Sequence, residues 1–237
     1  MKEKSFIEEI TDNCHRVEER IAEACVRAGR SREEVTLIGV SKTVAPERVQ
    51  AAVDAGVTRL GENHVQELCE KQPLVGGNPE WHLIGHLQTN KVKQVVGKVA
   101  LIQSVDSVRL AKQIEKVSAA QNFVTPVLVE VNIGREPTKS GVFAPELPKL
   151  LEDIAGFSHL SVQGLMCVPP ISDSPDKKRN YFAKMHNLFL DIQEKKLDNI
   201  DMHILSMGMS SDFEEAILEG STMIRVGTAL FGRRNYL

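Results

Sequence analysis

Lys42 is the residue whose position in the sequence first suggests chemistry. It follows an apolar run rich in β-branched residues and closes the segment V-T-L-I-G-V-S-K-T, residues 35–43. Such a run predicts a buried strand that delivers Lys42 to its carboxyl end. Lysine is rarely buried unless it is paired. Lys42 is therefore expected to pair with a group such as Glu62, to line a cavity, or to carry a covalent ligand.

Two later segments have the composition of phosphate-binding loops. One reads S-M-G-M-S, residues 206–210, and the other reads R-V-G-T-A, residues 225–229. Hydroxyl groups, glycine and the free N–H groups of a following helix together bind anions, and in α/β barrels the loops after the last two strands often hold phosphate. Either loop alone could be an ordinary helix cap. Their joint placement predicts a phosphate site.

A lysine across the barrel mouth from a phosphate site suggests Schiff-base chemistry. Desolvation favours the neutral amine, which is the form that attacks an aldehyde. Pyridoxal 5′-phosphate carries both the aldehyde and the phosphate that such a site requires. The alternative, in which Lys42 merely pairs with Glu62 or with a bound anion, stays open on spacing alone.

The elements that must position these residues alternate along the chain. Strands are predicted at 35–43, 58–61, 81–84, 100–104, 126–133, 161–168, 203–206 and 222–226. Helices are predicted at 6–28, 46–55, 63–70, 89–96, 108–119, 145–154, 175–195 and 212–219. This alternation predicts a single (β/α)8 TIM-type barrel spanning residues 1–237. An open doubly wound sheet is the main competitor, but the turn after its first strand would read G-x-G-x-x-G, whereas here it reads S-K-T-V-A-P.

The first 30 residues predict an extra helix. Apolar side chains recur there at alternating steps of three and four, which is one helical stripe. Such a stripe could form half of a coiled coil, but its length and the small residues near its end favour packing on the same chain. We therefore expect a helix that packs on the barrel of a monomer.

Composition excludes several classes of function. The net charge is −3, with 42% hydrophobic and 26% charged residues, which gives no electrostatic footprint for nucleic acid or for an anionic membrane. No apolar run is long enough to span a bilayer. The four cysteines lie at wide spacings without a C-x-x-C pair, which argues against a zinc site or a disulfide framework and for a cytoplasmic protein.

His82 and His86 are four residues apart, but a metal pair is not expected. The stretch reads as a strand and a turn, whereas the H-E-x-x-H pattern needs a helix and a glutamate. His82 is expected to line the barrel mouth instead.

Six blocks, in order along the chain, resemble the pyridoxal phosphate homeostasis protein family. They read V-S-K-T (40–43), L-G-E-N-H-V-Q-E (60–67), W-H-L-I-G-H-L-Q-T-N-K (81–91), G-L-M (164–166), L-S-M-G-M-S (205–210) and I-R-V-G-T-A-L-F-G (224–232). That family is similar in fold to the barrel domain of alanine racemase. The resemblance implies that Lys42 binds pyridoxal phosphate as a Schiff base.

The resemblance also implies roles for other positions. Ser206, Gly227 and Thr228 would hold the phosphate, and Gly208 would shape its loop. Arg225 would face the pyridine nitrogen, where an arginine disfavours protonation and weakens the ring as an electron sink. The remaining implied contacts with the ring are Asn63 and Met166, although Met166 could equally belong to the core.

The implied function is intracellular homeostasis of pyridoxal phosphate, by buffering and delivery to apo-enzymes, without substantial catalysis. A racemase needs a second proton-transfer group, and the chain's two tyrosines, Tyr181 and Tyr236, are poorly placed by sequence. The alternative is a racemase-like enzyme or a Schiff-base lyase that uses the same Lys42. Lys139 could hold cofactor in transit, although a solvated loop charge is the simpler interpretation.

Overall fold

Eight parallel strands close into a barrel. The computed structural model describes residues 5–170, 172 and 174–232. Its strands are β1 (Thr36–Val40), β2 (Arg59–Glu62), β3 (Glu80–Leu83), β4 (Leu101–Val105), β5 (Thr125–Glu130), β6 (Leu160–Met166), β7 (Ile200–Met209) and β8 (Met223–Val226). Each strand pairs in parallel with the next, and β8 pairs with β1 to complete the ring. The predicted (β/α)8 barrel is confirmed.

Helices and short 3-10 helices surround this ring. The α-helices are α1 (Phe6–Arg27), α2 (Pro46–Asp54), α3 (Val65–Lys71), α4 (Val108–Ala120), α5 (Leu147–Ile154), α6 (Pro175–Gln193), α7 (Phe213–Leu218) and α8 (Thr228–Phe231). The 3-10 helices are Arg32–Glu34, Gln72–Leu74, Thr89–Gln94 and Ala144–Glu146. None of the helices in the described ranges is long and apolar enough to cross a bilayer.

The connection after β3 differs from the sequence-based prediction. An α-helix was predicted over residues 89–96, and the chain instead forms the 3-10 helix Thr89–Gln94. The segment carries three β-branched valines and ends at Gly97, whose φ is +76°. Both features disfavour a longer α-helix, so the short 3-10 form is sufficient to bury Val92 and return the chain to β4.

The N-terminal helix α1 packs on the outside of the barrel. Ser5 and Glu8 form a capping box at its start. Its apolar stripe is buried against α2, α7 and α8. Asn13 donates a hydrogen bond of 2.8 Å from Nδ2 to the carbonyl of Leu230. This bond ties α1 to the segment that follows β8.

Strand β7 is longer than predicted, and this changes the position of Ser206. The strand was predicted over residues 203–206, with a loop after it, but β7 runs to Met209. Gly208 adopts a φ of +95°, and the pairing with β8 shifts between Ser206 and Met209. A glycine in a bulge lets a strand continue where the sequence suggests a loop. Ser206 and Gly208 therefore lie within the barrel wall.

Candidate functional site

A cavity of about 400 Å³ opens at the carboxyl ends of the strands. This is the functional end of parallel barrels, and the volume falls in the range of small-molecule sites. Four of the predicted site residues meet there: Lys42, Asn63, Arg225 and Gly227. The other lining residues are Val40, Ile84, Val168, Met209, Ser210 and Ser211. The cavity thus combines apolar walls with a small set of polar groups.

Lys42 lies two residues beyond the end of β1 and is half-buried in this cavity. The alternative in which Lys42 pairs with Glu62 does not occur. Glu62 Oε1 instead accepts a hydrogen bond of 2.6 Å from Lys71 Nζ. Across residues 5–170, 172 and 174–232, no hydrogen bond or ion pair engages Lys42 Nζ, which leaves the amine open to a ligand.

Arg225 lies at the base of the cavity and is almost fully buried. Its Nη1 donates to Ser206 Oγ at 2.6 Å, and its Nη2 donates to the carbonyl of Cys167 at 2.8 Å. Burial lowers the pKa of Arg225 from its ordinary value. A guanidinium nevertheless stays charged in proteins, so Arg225 supplies a fixed positive group to the cavity.

Ser206 belongs to a hydrogen-bonded chain inside the barrel. Its hydroxyl accepts from Arg225 and donates to Gln103 Oε1 at 2.7 Å. The Gln103 amide in turn lies 3.0 Å from His82 Nδ1. Ser206 is fully buried and is not among the residues that line the cavity, and its hydrogen bond holds Arg225 in place. Gln103 was not identified from the sequence, because its partners are distant along the chain.

His82 lies at the opposite end of the barrel from the one expected. It lines a separate pocket at the amino ends of the strands, not the barrel mouth. Burial lowers the pKa of His82 to about 4. The ring is therefore neutral near pH 7 and can accept a hydrogen bond from Gln103.

Together with Ser211, Ser210 lines the cavity. Its Oγ accepts hydrogen bonds from the backbone N–H groups of Gly227 and Ala229, at 3.1 and 3.2 Å. No acceptor for the Ser210 hydroxyl hydrogen occurs in the described ranges. Since both N–H groups donate to Ser210 Oγ, the hydroxyl hydrogen of Ser210 is the donor that remains for an anion in the cavity. The S-M-G-M-S motif contained this residue, but only the end of β7 decides which serine faces the cavity.

Glu130 is a half-buried acid at the end of β5 that the sequence did not reveal. Burial raises its pKa to about 7, the nearby Asp106 raises it further, and Arg225 opposes the shift. No sequence pattern around the run T-P-V-L-V marks the acid that follows it as a candidate site residue. At neutral pH this carboxyl group is poised between its charged and neutral forms.

The remaining predicted residues lie outside the cavity lining. Met166 is buried in an interior cluster with Ile38 and Leu128, which is the core position that its sequence also allowed. Gly208 packs against α7: a Cβ there would lie 2.6 Å from the Cβ of Ala216. Thr228 is exposed at the start of α8.

Lys139 is held within its own loop. Its Nζ donates to the carbonyl of Pro169 at 3.2 Å and pairs with Glu136. Tyr181 lies on α6 beside Lys184, whose Nζ is 6.0 Å from the ring centroid, and Tyr236 lies outside the described residues.

Metal-binding groups do not cluster in the part of the chain that the structure describes. No three His, Cys, Asp or Glu residues there are placed to hold an ion. His86 instead pairs with Asp106, with 3.3 Å between Nδ1 and Oδ2.

The donor set of the cavity fits a phosphorylated aromatic aldehyde. Lys42 offers an unengaged amine, and the Ser210 hydroxyl offers a donor for a phosphate. Arg225 offers a positive group, and Ile84 and Val168 offer apolar surface for a ring. Such a ligand would supply its own electrophilic carbon, and the protein would supply binding and orientation.

Comparisons with known proteins agree with this geometry. Residues 13–235 match the family described as "Alanine racemase, N-terminal domain". The chain is 46% identical over 222 residues to the pyridoxal phosphate homeostasis protein of Aquifex aeolicus, covering 93% of this chain and 96% of the relative.

Two solved structures are also similar. PipY of Synechococcus elongatus PCC7942, solved with pyridoxal phosphate bound, is 31% identical with a TM-score of 0.80, over 91% of this chain and 100% of PipY. A protein of unknown function from Bifidobacterium adolescentis is 34% identical with a TM-score of 0.92, over 98% of both chains. Because these matches run through the whole barrel and not through a single motif, the chain belongs to the pyridoxal phosphate homeostasis protein family, whose fold is that of the alanine racemase N-terminal domain.

Proposed function

We propose that this protein binds pyridoxal 5′-phosphate as a Schiff base on Lys42 and buffers or delivers it within the cell, without substantial catalysis. The observation that carries the proposal is the single cavity that joins the unengaged Lys42 amine to Arg225 and to the Ser210 anion site. The family relationship supports the identity of the ligand, since the relatives are named for pyridoxal phosphate homeostasis and PipY was solved with pyridoxal phosphate.

The residue roles follow from the cavity. Lys42 supplies the amine, and Asn63 lies on the wall beside it. The Ser210 hydroxyl, beside Gly227, donates to the phosphate, and the exposed hydroxyl of Thr228 lies at the edge of the same loop. Arg225 faces the pyridine nitrogen. In this assignment Ser206 acts on Arg225 and makes no contact with the phosphate.

The fixed charge of Arg225 favours a carrier over an amino-acid enzyme. A permanent cation beside the pyridine nitrogen disfavours protonation of that nitrogen, which is the form that withdraws electrons most strongly. Ser206 and the Cys167 carbonyl hold the guanidinium by two hydrogen bonds. The cation therefore cannot turn away from the cavity without leaving buried groups unpaired.

Glu130 is the observation that favours the alternative, a racemase-like enzyme or a Schiff-base lyase. A half-buried carboxyl whose pKa is about 7 suits a group that gives and accepts protons near neutral pH. Glu130 does not line the cavity, however, and Tyr181 lies away from it. A turnover number near the median of enzymes, about 10 per second, for amino-acid racemisation or elimination would contradict the carrier proposal.

The proposal also covers the recipients of the cofactor, the oligomeric state and the cellular compartment. We propose pyridoxal phosphate-dependent apo-enzymes as recipients and a monomeric, cytoplasmic protein. The four free cysteines, three of them buried, suit a reducing compartment. Size-exclusion chromatography with light scattering tests the monomer.

The site assignment is tested by trapping the Schiff base. The purified protein is mixed with pyridoxal phosphate, reduced with borohydride, and analysed by absorbance, intact mass and peptide mapping. The expected result is one added adduct on the peptide that contains Lys42, and loss of the visible band in Lys42→Ala. Lys91→Ala is the matched control, because Lys91 lines a neighbouring cavity that shares Asn63. An unchanged band in Lys42→Ala, or an adduct on another lysine, would refute the assignment.

A further inference from the structure

The backbone turn that carries Lys42 adopts a conformation that its sequence disfavours. The N–H of Val44 donates to the carbonyl of Ser41 at 3.0 Å, which closes a four-residue turn with Lys42 and Thr43 at its centre. Thr43 has a φ of +58°. Turns of this shape place glycine or asparagine at that position, and a β-branched residue there is strained. Something outside the turn must hold it.

The ammonium group of Lys71 lies directly against this turn. Its Nζ donates to the carbonyl of Ser41 at 2.7 Å, to Glu62 Oε1 at 2.6 Å and to Glu67 Oε1 at 2.8 Å. All three donors of the ammonium are thus used. One of them binds the turn itself, and the other two bind carboxylates.

The two carboxylates also hold the turn, one on each side of Lys42. Glu62 Oε1 accepts the hydroxyl of Ser41 at 2.7 Å. Glu67 Oε1 accepts the backbone N–H of Thr43. The residues before and after Lys42 are therefore both fixed to a network whose centre is Lys71.

This network is buried, which argues for a role other than stability. The side chains of Lys71 and Glu62 are 5% and 0% exposed. Burial raises the pKa of Glu62, and its bonds to Lys71 and Ser41 oppose the shift. Glu62 Oε2 is buried without a hydrogen-bond partner in the described structure. Replacing buried ion pairs of this kind by apolar residues is often neutral or stabilising, so stability alone does not explain the network.

We propose that Lys71 is a positioning residue, which with Glu62 and Glu67 holds the strained turn at Thr43 so that Lys42 presents its amine to the cavity. This inference rests on the proposed function only for the identity of the ligand. When the Schiff base forms, Lys42 Nζ bonds to the aldehyde carbon, and the aldehyde oxygen leaves as water with the two protons of the neutral amine. Lys71 touches neither reacting atom and acts through the backbone of the turn.

The test asks whether Thr43→Gly restores a rate of Schiff-base formation that the loss of Lys71 has lowered. A general structural role of Lys71 does not predict this recovery. Lys71→Met combined with Glu62→Gln removes the two most buried charges together and leaves only Glu67, which is partly exposed and still accepts the Thr43 N–H. In this double variant we expect the strained turn to relax and Schiff-base formation with pyridoxal phosphate to slow about tenfold. Adding Thr43→Gly makes the turn conformation intrinsically favourable, so most of the lost rate should return.

A second readout needs no cofactor. The Val44 amide reports the turn directly, because it donates to Ser41. Its hydrogen exchange in the protein without ligand should be about tenfold faster in the double variant and should slow again when Thr43→Gly is added. If Lys42 proves not to form a Schiff base, the proposed function fails, whereas the exchange result still decides the role of Lys71.

Two further variants separate the role of Lys71 from unfolding and from a general effect of removing charge. Lys149→Met with Asp153→Asn removes an exposed lysine–carboxylate pair on α5 by comparable substitutions, and should change neither rate nor exchange. If the double variant does not fold, Glu67→Ala removes the acceptor of the Thr43 N–H and one of the three acceptors of Lys71, leaves the Lys71–Glu62 pair in place, and should accelerate Val44 exchange. Unchanged Val44 exchange in the folded variants, or a slowed rate that Thr43→Gly fails to restore, would overturn the proposal.

Discussion

Replacing Glu130 by glutamine should make the protein more stable in neutral and alkaline solution but not in acid. The folded protein raises the pKa of this carboxyl from 4.5 to about 7, chiefly through burial. Each pKa unit corresponds to about 1.4 kcal/mol, so the shift amounts to about 3 kcal/mol at most. Residual contact with solvent reduces the expected effect to about 2 kcal/mol.

The direction of this pH dependence follows from which state, folded or unfolded, retains the proton of Glu130. Below pH 4.5 the carboxyl is protonated in the folded and unfolded states, and Glu130 contributes no pH dependence. Between pH 4.5 and 7 the folded state retains a proton that the unfolded state has released, so the free energy of unfolding falls as the pH rises. Above pH 7 the loss is constant. Glu130→Gln stays neutral throughout and avoids this loss.

The assay is urea unfolding, followed by circular dichroism, at pH 4.5 and pH 8. The free energy of unfolding of Glu130→Gln minus that of the parent should be about 2 kcal/mol larger at pH 8 than at pH 4.5. Glu152→Gln is the control, because Glu152 is exposed on α5. A difference that stays the same at both pH values would refute the assignment of a raised pKa to Glu130.

Three further predictions concern the cavity and its supports. Ser210→Ala should weaken binding of pyridoxal phosphate about tenfold and leave binding of pyridoxal nearly unchanged, as measured by absorbance titration, since Ser210 lies in the anion site. Gly208→Ala should lower the free energy of unfolding by about 2 kcal/mol or more, because its φ is +95° and the new Cβ would meet Ala216 at 2.6 Å. His82, whose pKa burial lowers to about 4, stays neutral in the folded state while the unfolded state gains a proton below pH 6.5. The free energy of unfolding should therefore fall by up to about 3 kcal/mol between pH 6.5 and 4. In His82→Asn this part of the decrease in acid should be missing. An identical pH profile of the free energy of unfolding in parent and variant would contradict the prediction.

The sequence-based prediction ended β7 too early, and this has a specific physical reason. Glycine inside S-M-G-M-S indicates a loop, but the hydrogen bonds that β7 makes with β6 and β8 extend the strand through Gly208. Tertiary pairing therefore overrides the local signal. The shift moves Ser206 into the barrel interior and leaves Ser210 at the cavity.

The local sequence pattern was sufficient to predict features that depend on single strands and helices and on their order along the chain. The β-branched run before Lys42 predicted a strand that delivers it to the barrel mouth, and the alternation of strands and helices predicted a closed barrel. The apolar stripe of the first helix predicted which of its faces is buried, including Ile10, Val17 and Ile21. These features depend on periodicity and on residue type, which a single sequence contains in full.

Only the tertiary structure decided what surrounds Lys42. Glu62 pairs with Lys71 and not with Lys42 because of how α3 packs beside β1 and β2. Neither the distance between Glu62 and Lys71 nor their burial can be read from a local sequence pattern. The chain from Arg225 through Ser206 to Gln103 joins residues that are more than 100 positions apart. Such contacts arise when the barrel closes and water is excluded, because burial then requires each polar group to find a partner. The sequence thus determined the fold and the place of Lys42 after β1, and closure of the barrel determined which groups surround that lysine.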